Sequence, residues 1–274
     1  NFSTPKNFQP FILVSVITSA ALIPILLTKK KPPTFKKIAA MSLNELYKSS
    51  PFGIVSSFFY GTIQSALFTL LAVYATSMNF TIFEISVVTF LLAISGAVAQ
   101  FPVGKVSDYY DRRKVIIVSS FGAAIFSILT ILVTGQMYLP DGLASSKTWF
   151  YIFFVLFSFC SLPMFSLILA HTNDYITKDK FVAAGAGLQF TFGLGAISGP
   201  FLCSLFMDLV GSNGFFIFLF FFHSLIGVFG VYRMKIRPTI DNPDSQFVAM
   251  PQTITPAGIE LNPTTEPIEE PSTD

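Results

Sequence analysis

The stretch Phe101-Pro-Val-Gly-Lys-Val-Ser-Asp-Tyr-Tyr-Asp-Arg-Arg-Lys114 lies between two long apolar segments of the chain. Its last ten residues carry six charged side chains, whereas only 12% of the residues of the whole chain are charged. A charge cluster this dense between hydrophobic segments is expected where a chain leaves a membrane and turns back into it. The stretch therefore predicts a membrane-exit turn between two transmembrane spans.

The composition is that of an integral membrane protein. Of the 274 residues, 52% are hydrophobic and 33 are Phe. The mean hydropathy of +0.65 exceeds what a water-soluble domain of this length would tolerate. Cys160 and Cys203 both lie within apolar segments, so we expect buried small side chains there rather than a disulfide or a metal site.

Seven apolar runs are long enough to cross a bilayer as helices, because a hydrocarbon core of roughly 30 Å takes about 20 helical residues. We therefore predict an all-α polytopic membrane protein with seven transmembrane helices. Thr81 and Glu84 open the third span as a capping box, which makes Glu84 a helix cap rather than a substrate-binding acid. The predicted spans are 8–27, 53–76, 82–103, 115–134, 148–171, 182–207 and 214–232.

The distribution of Lys and Arg predicts the orientation of these spans. Fifteen of the 17 basic residues fall on one side of the membrane, and only Lys6 and Lys147 fall on the other. By the positive-inside rule the richer side is cytoplasmic. We therefore expect the N-terminus to lie outside and the C-terminus to lie in the cytoplasm. We also expect the chain to reside in a bacterial inner membrane.

Two regions outside the spans have their own character. Residues 29–50 form a Lys-rich connector, in which apolar side chains recur every three or four positions from 35 to 47. That pattern predicts a short amphipathic helix on the membrane surface. Residues 238–274 hold seven Pro and seven acidic residues but no Lys or Arg, which predicts a disordered cytoplasmic tail.

The spacing of Gly104, Asp108, Arg112 and Arg113 resembles the cytoplasmic signature of the major facilitator superfamily, Gly-x-x-x-Asp-(Arg/Lys)-x-Gly-Arg-(Arg/Lys). The four residues match the glycine, the acid and the last two bases of the signature. The position after Asp108 holds tyrosine instead of a base, and the position before Arg112 holds aspartate instead of glycine. In the superfamily this signature joins the second and third helices of each six-helix half.

The resemblance implies that the chain is one inverted-repeat half of a twelve-helix carrier with one preceding helix. Residues 1–28 would be the last helix of the N-terminal half, 29–50 the connector, 51–237 the C-terminal six-helix half and 238–274 the tail. The six spans divide into two triplets that cross in opposite senses, as an inverted repeat requires. Because the first residue is Asn, we also expect a fragment whose N-terminal half is missing.

The resemblance further implies secondary active transport of a small solute by alternating access, as uptake or efflux. The charged stretch would hold a cytoplasmic gate shut. Asp174, in the pseudo-symmetric loop, would contribute to the same gate. An ordinary solvated loop remains the alternative for both places.

The implied partners are a small-molecule substrate, the lipid bilayer and the missing half, with a coupling proton or sodium ion left open. No nucleic acid, cofactor or metal is predicted.

Polar residues inside spans are costly, so Gln64, Gln189 and His223 are candidates to line a cavity. Hydrogen bonding between helices is the alternative for each of them. Small residues on one face of the sixth span predict close packing with a partner helix. The residues in question are Gly187, Gly195, Gly199 and Pro200.

Two other protein classes fit seven spans less well. A seven-helix receptor or sensor is the alternative function, but a retinal protein needs a lysine inside a span, and every lysine lies in a loop or at a membrane edge. An intramembrane enzyme would need a motif such as His-Glu-x-x-His or Gly-x-Ser-x-Gly, and the sequence contains neither. We therefore predict that the protein is not an enzyme.

Overall fold

The computed structural model describes residues 8–23, 41–136, 143–236 and 249. All regular secondary structure in these ranges is helical, which agrees with the predicted all-α class. The helices are α1 (Gln9–Ala20), α2 (Leu43–Ser49), α3 (Pro51–Ser77), α4 (Ile82–Tyr109), α5 (Arg112–Gln136), α6 (Leu143–Ser161), α7 (Met164–Asn173), α8 (Phe181–Val210) and α9 (Gly214–Ile236), with a 3-10 turn at Lys178–Lys180.

The first predicted span is only partly described. The chain divides into two compact units, and α1 lies in the first of them, which comprises residues 1–37 and 270–274. α1 has 12 residues, which is fewer than the roughly 20 needed to cross a membrane. The predicted span 8–27 continues past residue 23 into residues outside the described ranges, so this span stays a prediction.

The second unit, residues 38–269, contains six helical stretches that are long and apolar enough to cross a membrane. They correspond to the last six predicted spans and consist of α3, α4, α5, α6 with α7, α8, and α9. Each is longer than its prediction, and in α4 and α9 the added residues include charged ones, such as Lys105 and Lys235, that remain helical. α4, with 28 residues, is about 42 Å long and extends beyond a 30 Å hydrocarbon core.

The connector contributes α2, which packs on the helical bundle. Ser42 begins this helix, because its hydroxyl accepts a hydrogen bond from the backbone N–H of Glu45 at 3.2 Å. Leu46 is 1% exposed, and its side chain occupies the space beside Gly187. Glu45 forms an ion pair with Lys180 at 2.7 Å. The first part of the amphipathic helix predicted at 35–47 lies outside the described residues.

The fourth span of this unit is interrupted between α6 and α7. Pro163 lacks a backbone N–H and separates the two helices. The carbonyl of Leu162 accepts a hydrogen bond from the Tyr60 hydroxyl of α3 at 3.1 Å. A side chain of a neighbouring helix thus satisfies a backbone group at the break, as a membrane interior requires.

α3 crosses α8 at backbone contact distance. A Cβ atom added at Gly61 would lie 2.0 Å from the carbonyl oxygen of Phe192. Cβ atoms at Gly195 and Gly199 would lie 2.0 Å and 2.2 Å from carbonyl oxygens of α3. Glycine on both helices therefore permits this close approach, which contributes van der Waals packing in a membrane protein.

Aromatic rings pack α3, α6 and α9 together at the end away from the charged stretch. The Tyr74 ring stacks on Phe215 with centroids 5.1 Å apart and meets Phe216 edge-on at 5.0 Å. Phe150 and Phe154 of α6 both meet Phe216 edge-on. Such edge-to-face and offset contacts add to the packing that positions these three helices.

The capping box at the start of α4 is confirmed. The Thr81 hydroxyl accepts from the Glu84 N–H at 3.3 Å, and the Thr81 N–H donates to Glu84 Oε2 at 2.8 Å. Glu84 has a second role that the sequence did not predict, because Lys147 Nζ lies 2.6 Å from its Oε1. This ion pair joins α4 to α6.

Candidate functional site

An ionic cluster lies where α4, α5 and α7 meet. It consists of Asp108, Asp111, Arg112, Arg113 and Asp174, which share a short region at the end of α4, the start of α5 and the end of α7. The structure thus brings Asp174 to the charged stretch across 62 residues of sequence. The function of this ionic cluster as a cytoplasmic gate stays a prediction.

Asp111 forms the turn between α4 and α5. Its Oδ1 accepts a hydrogen bond from the backbone N–H of Arg113 at 2.9 Å, as an N-cap side chain does. Among the described residues only Asn79 and Gly211 have a positive φ, so the turn at Asp111 needs no left-handed backbone. Aspartate can therefore occupy this position, where the superfamily signature has glycine.

Arg112 connects three helices. One guanidinium nitrogen, Nη2, lies 3.3 Å from Asp108 Oδ1 at the end of α4. The other, Nη1, donates to Asp174 and to the carbonyl oxygen of Ala170, the latter at 3.2 Å. Arg112 is only 6% exposed. A buried arginine with carboxylates on two sides holds the helix ends at fixed positions, and loss of one partner would leave charge buried there.

The contacts of Arg112 also suit the electrostatics of α7. Asp174 follows the last residue of this helix, where the helix dipole places partial negative charge. An acid at that end is unfavourable unless a cation lies beside it. Arg112 supplies the cation and also binds the Ala170 carbonyl in the last turn.

Arg113 pairs with Asp111 within the turn. Its Nη2 lies 2.9 Å from Asp111 Oδ2, and its Nε lies 3.2 Å from Oδ1. The arginine is 4% exposed and the Asp111 side chain 10%. This two-point pairing gives a defined geometry, so Arg113 stabilises the start of α5.

His171 lies beside the cluster in an aromatic environment. Its ring meets Phe52 at 5.3 Å and Tyr175 at 5.0 Å between centroids, both edge-on. The neighbouring Thr172 lies 3.4 Å from the Ser50 hydroxyl and fills the space left by Gly53. The end of α7 is therefore packed against the start of α3 as well as against α5.

Gly104 stands one turn before Asp108 and makes no ionic contact. Its carbonyl accepts a hydrogen bond from the Ser107 hydroxyl at 2.7 Å. Gly104 and Asp108 line a cavity of about 480 Å³ together with Gln100 and Lys105. Gly104 therefore lies on the same face of α4 as Asp108, one turn further from the ion pair with Arg112.

The three candidate cavity residues lie apart from the ionic cluster. His223 is fully buried, with Nε2 at 3.0 Å from the Ser161 hydroxyl of α6 and Nδ1 at 2.8 Å from the Leu219 carbonyl. These contacts favour the helix-to-helix hydrogen bonding that was the alternative for this residue. Gln64 of α3 is 4% exposed. Gln189 of α8 is half-buried, and its Oε1 has no hydrogen-bond partner among the described residues.

Comparison with known proteins identifies the family. The sequence model of the Major Facilitator Superfamily matches residues 8–135 and 53–261, which together cover most of the chain. The chain belongs to the Major Facilitator Superfamily. The resemblance of the charged stretch is thereby confirmed, and membership implies transmembrane transport. Proteins of this superfamily are not enzymes, so that prediction is also confirmed.

Curated relatives in the superfamily are bacterial. The chain is 23% identical to an uncharacterized MFS-type transporter of Yersinia enterocolitica over 239 residues, which is 86% of this chain and 57% of the relative. It is 27% identical to one of Bacillus subtilis over 186 residues, or 65% of this chain and 44% of the relative. A transporter of this type from Escherichia fergusonii is 19% identical over 215 residues, 78% of this chain and 52% of the relative.

The chain spans about half the length of the curated relatives it matches. No solved structure matches it significantly. The six apolar helices and the family together establish an integral membrane protein of a transporter family.

Several contacts around the cluster were not predicted. The pairing of Asp111 with Arg113 was missed, although an acid two residues before an arginine at a helix start signals a cap. The pair of Glu45 with Lys180 was also missed. Residues 135 positions apart give no local sequence signal for such a contact.

Proposed function

We propose that the chain is part of a secondary carrier that moves a small solute by alternating access, with the ionic cluster as a latch at its cytoplasmic face. The observation that carries this proposal is the position of Arg112. It starts α5, the last helix of the first triplet, and contacts Asp174 after α7, in the second triplet. Both residues lie in the same six-helix half, so alternating access would have to include a movement of α7 relative to α5, which breaks that contact.

The wider architecture follows from the same family. The six helical spans would form one half of a twelve-helix carrier, and the two triplets would be its inverted repeats. The match covers only 57% and 44% of the length of two relatives, which supports a second half as partner. On this proposal the end of α4 that bears Asp108 faces the cytoplasm, with the N-terminus outside and the C-terminus inside.

The solute site would lie between the two halves near the membrane midplane. Gln189 supports such a site, because a carbonyl oxygen without a partner in a membrane span is available to a ligand or to another helix. Gln64 on α3 remains the second candidate. The coupling ion, a proton or sodium, is left open.

Distance measurements between two spin labels test the latch without knowledge of the solute. Labels at Tyr109 and Thr177, both exposed, report on the ends of α4 and α7 in lipid vesicles. We expect Asp174→Asn to broaden this distance distribution and shift it to longer values, because Arg112 loses its carboxylate partner at the end of α7. The matched control is Asp179→Asn, which neutralises an exposed acid of the same segment.

The exchanged pair Arg112→Asp with Asp174→Arg should narrow the distribution again. An Asp174→Asn distribution that stays the same as in the unchanged chain would contradict the latch.

A further inference from the structure

An apolar groove separates α4 from α5 beside the ionic cluster. It has a volume of about 350 Å³, and Tyr110 and Lys114 line it where the helices end. Deeper along the helices its walls are mainly apolar, with Pro102 and Val106 on α4 and Phe159 reaching in from α6, beside one polar side chain, Ser119 of α5. The groove therefore has one polar end and one apolar end.

The groove is oriented along the membrane normal. Tyr110 and Pro102 are eight residues apart, which in a helix corresponds to about 12 Å of depth. Val106 is 45% exposed and Val118 of α5 is 71% exposed. In a membrane-spanning bundle, apolar side chains exposed at this depth can contact lipid tails. The polar end lies at the level of the membrane surface, because both helices end or begin there.

Among the described residues that line this groove, Lys114 is the cation. Its neighbours Arg112 and Arg113 are buried in ion pairs. The Lys114 side chain is exposed and forms no hydrogen bond or ion pair with the described residues. Tyr110, 67% exposed, adds an amphipathic ring with a hydroxyl group at the same level.

We propose that this groove binds an anionic phospholipid of the cytoplasmic leaflet. An acyl chain would lie between α4 and α5, and the phosphate would contact the Lys114 ammonium and the Tyr110 hydroxyl. Charge complementarity selects this occupant, since the cytoplasmic leaflet is rich in anionic lipid and a single lysine near it contributes measurably to binding. A soluble anion would leave the apolar length of the groove unfilled. The bound lipid would support the α4–α5 turn from the membrane side.

Native mass spectrometry of the purified 274-residue chain tests the site. The chain is titrated with phosphatidylglycerol and, in a parallel experiment, with phosphatidylcholine. The numbers of protein–lipid adducts formed with the two lipids are then compared. We expect Lys114→Gln to weaken phosphatidylglycerol binding about fivefold, the loss anticipated for one lysine at an anionic surface. Lys105→Gln is the matched control, because Lys105 is exposed at the same end of α4 but lines a different cavity.

A second pair of variants tests the apolar end. Val106→Trp should fill the groove and reduce binding of the lipid, whereas Val98→Trp, at an exposed position of the same helix outside the groove, should not. Circular dichroism reports whether each variant keeps its helical content.

Three outcomes would overturn the proposal. Equal binding of the two lipids would show that no anionic headgroup is recognised. Equal losses for the two lysine variants would show attraction to diffuse charge rather than a site. Retention of phosphatidylglycerol by Val106→Trp would show that the groove is not filled by lipid.

Discussion

Arg112 and Arg113 are adjacent in the chain, but their side chains have different tasks. Arg112 pairs with Asp108 and Asp174 and so joins three helix ends, whereas Arg113 pairs with Asp111 inside one turn. The difference arises because successive residues of a helix point about 100° apart, so one arginine faces α7 while the other faces back to the turn. The cluster thus combines a contact between helices with a local cap.

Variants of Asp111 separate the cap from the ion pair. Asparagine can still accept the Arg113 N–H, so Asp111→Asn should lose only the charge interaction, whereas Asp111→Ala should lose both. Loss of a cap costs about 0.5–2 kcal/mol, and the buried ion pair adds to that cost. Thermal unfolding in detergent should therefore rank the unchanged chain above Asn and Asn above Ala. Equal midpoints for the Asn and Ala variants would contradict the capping role.

At the scale of single residues, the sequence identified the charged side chains of the turn and their spacing along the chain. Asp108, Arg112 and Arg113 could be selected because a family signature has that spacing. Asp174 was named from the pseudo-symmetry of the loops, and the cap at Asp111 had a local signal that was missed. That Arg112 contacts Asp174 depends on the angle between helices, which no local pattern encodes.

α3 packs most extensively against α8 and also contacts α7 and α9. The prediction of a small-residue face on the sixth span named Gly195 and Gly199, and both lie against backbone atoms of α3. The sequence did not name Gly61, which permits the same approach from the side of α3. Pro200 lies within α8 without ending it, since membrane helices tolerate proline when neighbours satisfy the freed groups.

Two glycines of α8 provide a matched test of this crossing. A Cβ atom at Gly195 would lie 2.0 Å from the Phe58 carbonyl oxygen, whereas one at Gly193 would have no neighbour within 4 Å. Alanine has a helix propensity about 1 kcal/mol better than glycine. Gly193→Ala should therefore keep or raise the unfolding midpoint, and Gly195→Ala should lower it. A drop of equal size in both variants would show that packing on α3 is not the cause.

At the scale of the described helical bundle, two ion pairs join the first triplet of helices to the second at opposite ends of the helices. Arg112 and Asp174 form one pair, and Glu84 and Lys147 form the other. Glu84 begins α4, a helix of 28 residues and about 42 Å, and Asp108 lies in its last turn. α4 therefore carries an ionic contact at each end, to Lys147 of the second triplet at its start and to Arg112 of α5 in its last turn.

A double-mutant cycle tests whether these two pairs act independently. Lys147→Gln removes a partly exposed ion pair, so it should lower the free energy of unfolding by about 0.2–1 kcal/mol. Arg112→Gln should lower it by more, because the Arg112 site is buried. The two ion pairs are far apart. The loss of unfolding free energy in the double variant should therefore equal the sum of the losses in the two single variants to within about 0.5 kcal/mol. Denaturant unfolding in micelles measures the three variants, with Lys105→Gln as an unpaired control. A larger deviation from additivity would mean that the two ion pairs are energetically coupled through the helical bundle.

The sequence by itself determined the class of protein, the order of the helices and the family, because hydropathy and the spacing of charges along the chain encode these properties directly. It also determined the cap at Thr81 and Glu84, which involves neighbours three residues apart. Only the tertiary structure decided that Arg112 contacts Asp174, that Glu84 contacts Lys147 and that His223 bonds to Ser161. These pairs are about 60 residues apart, so they exist only once the helices have packed at particular angles, and packing angles are set by the whole set of side chains between the helices.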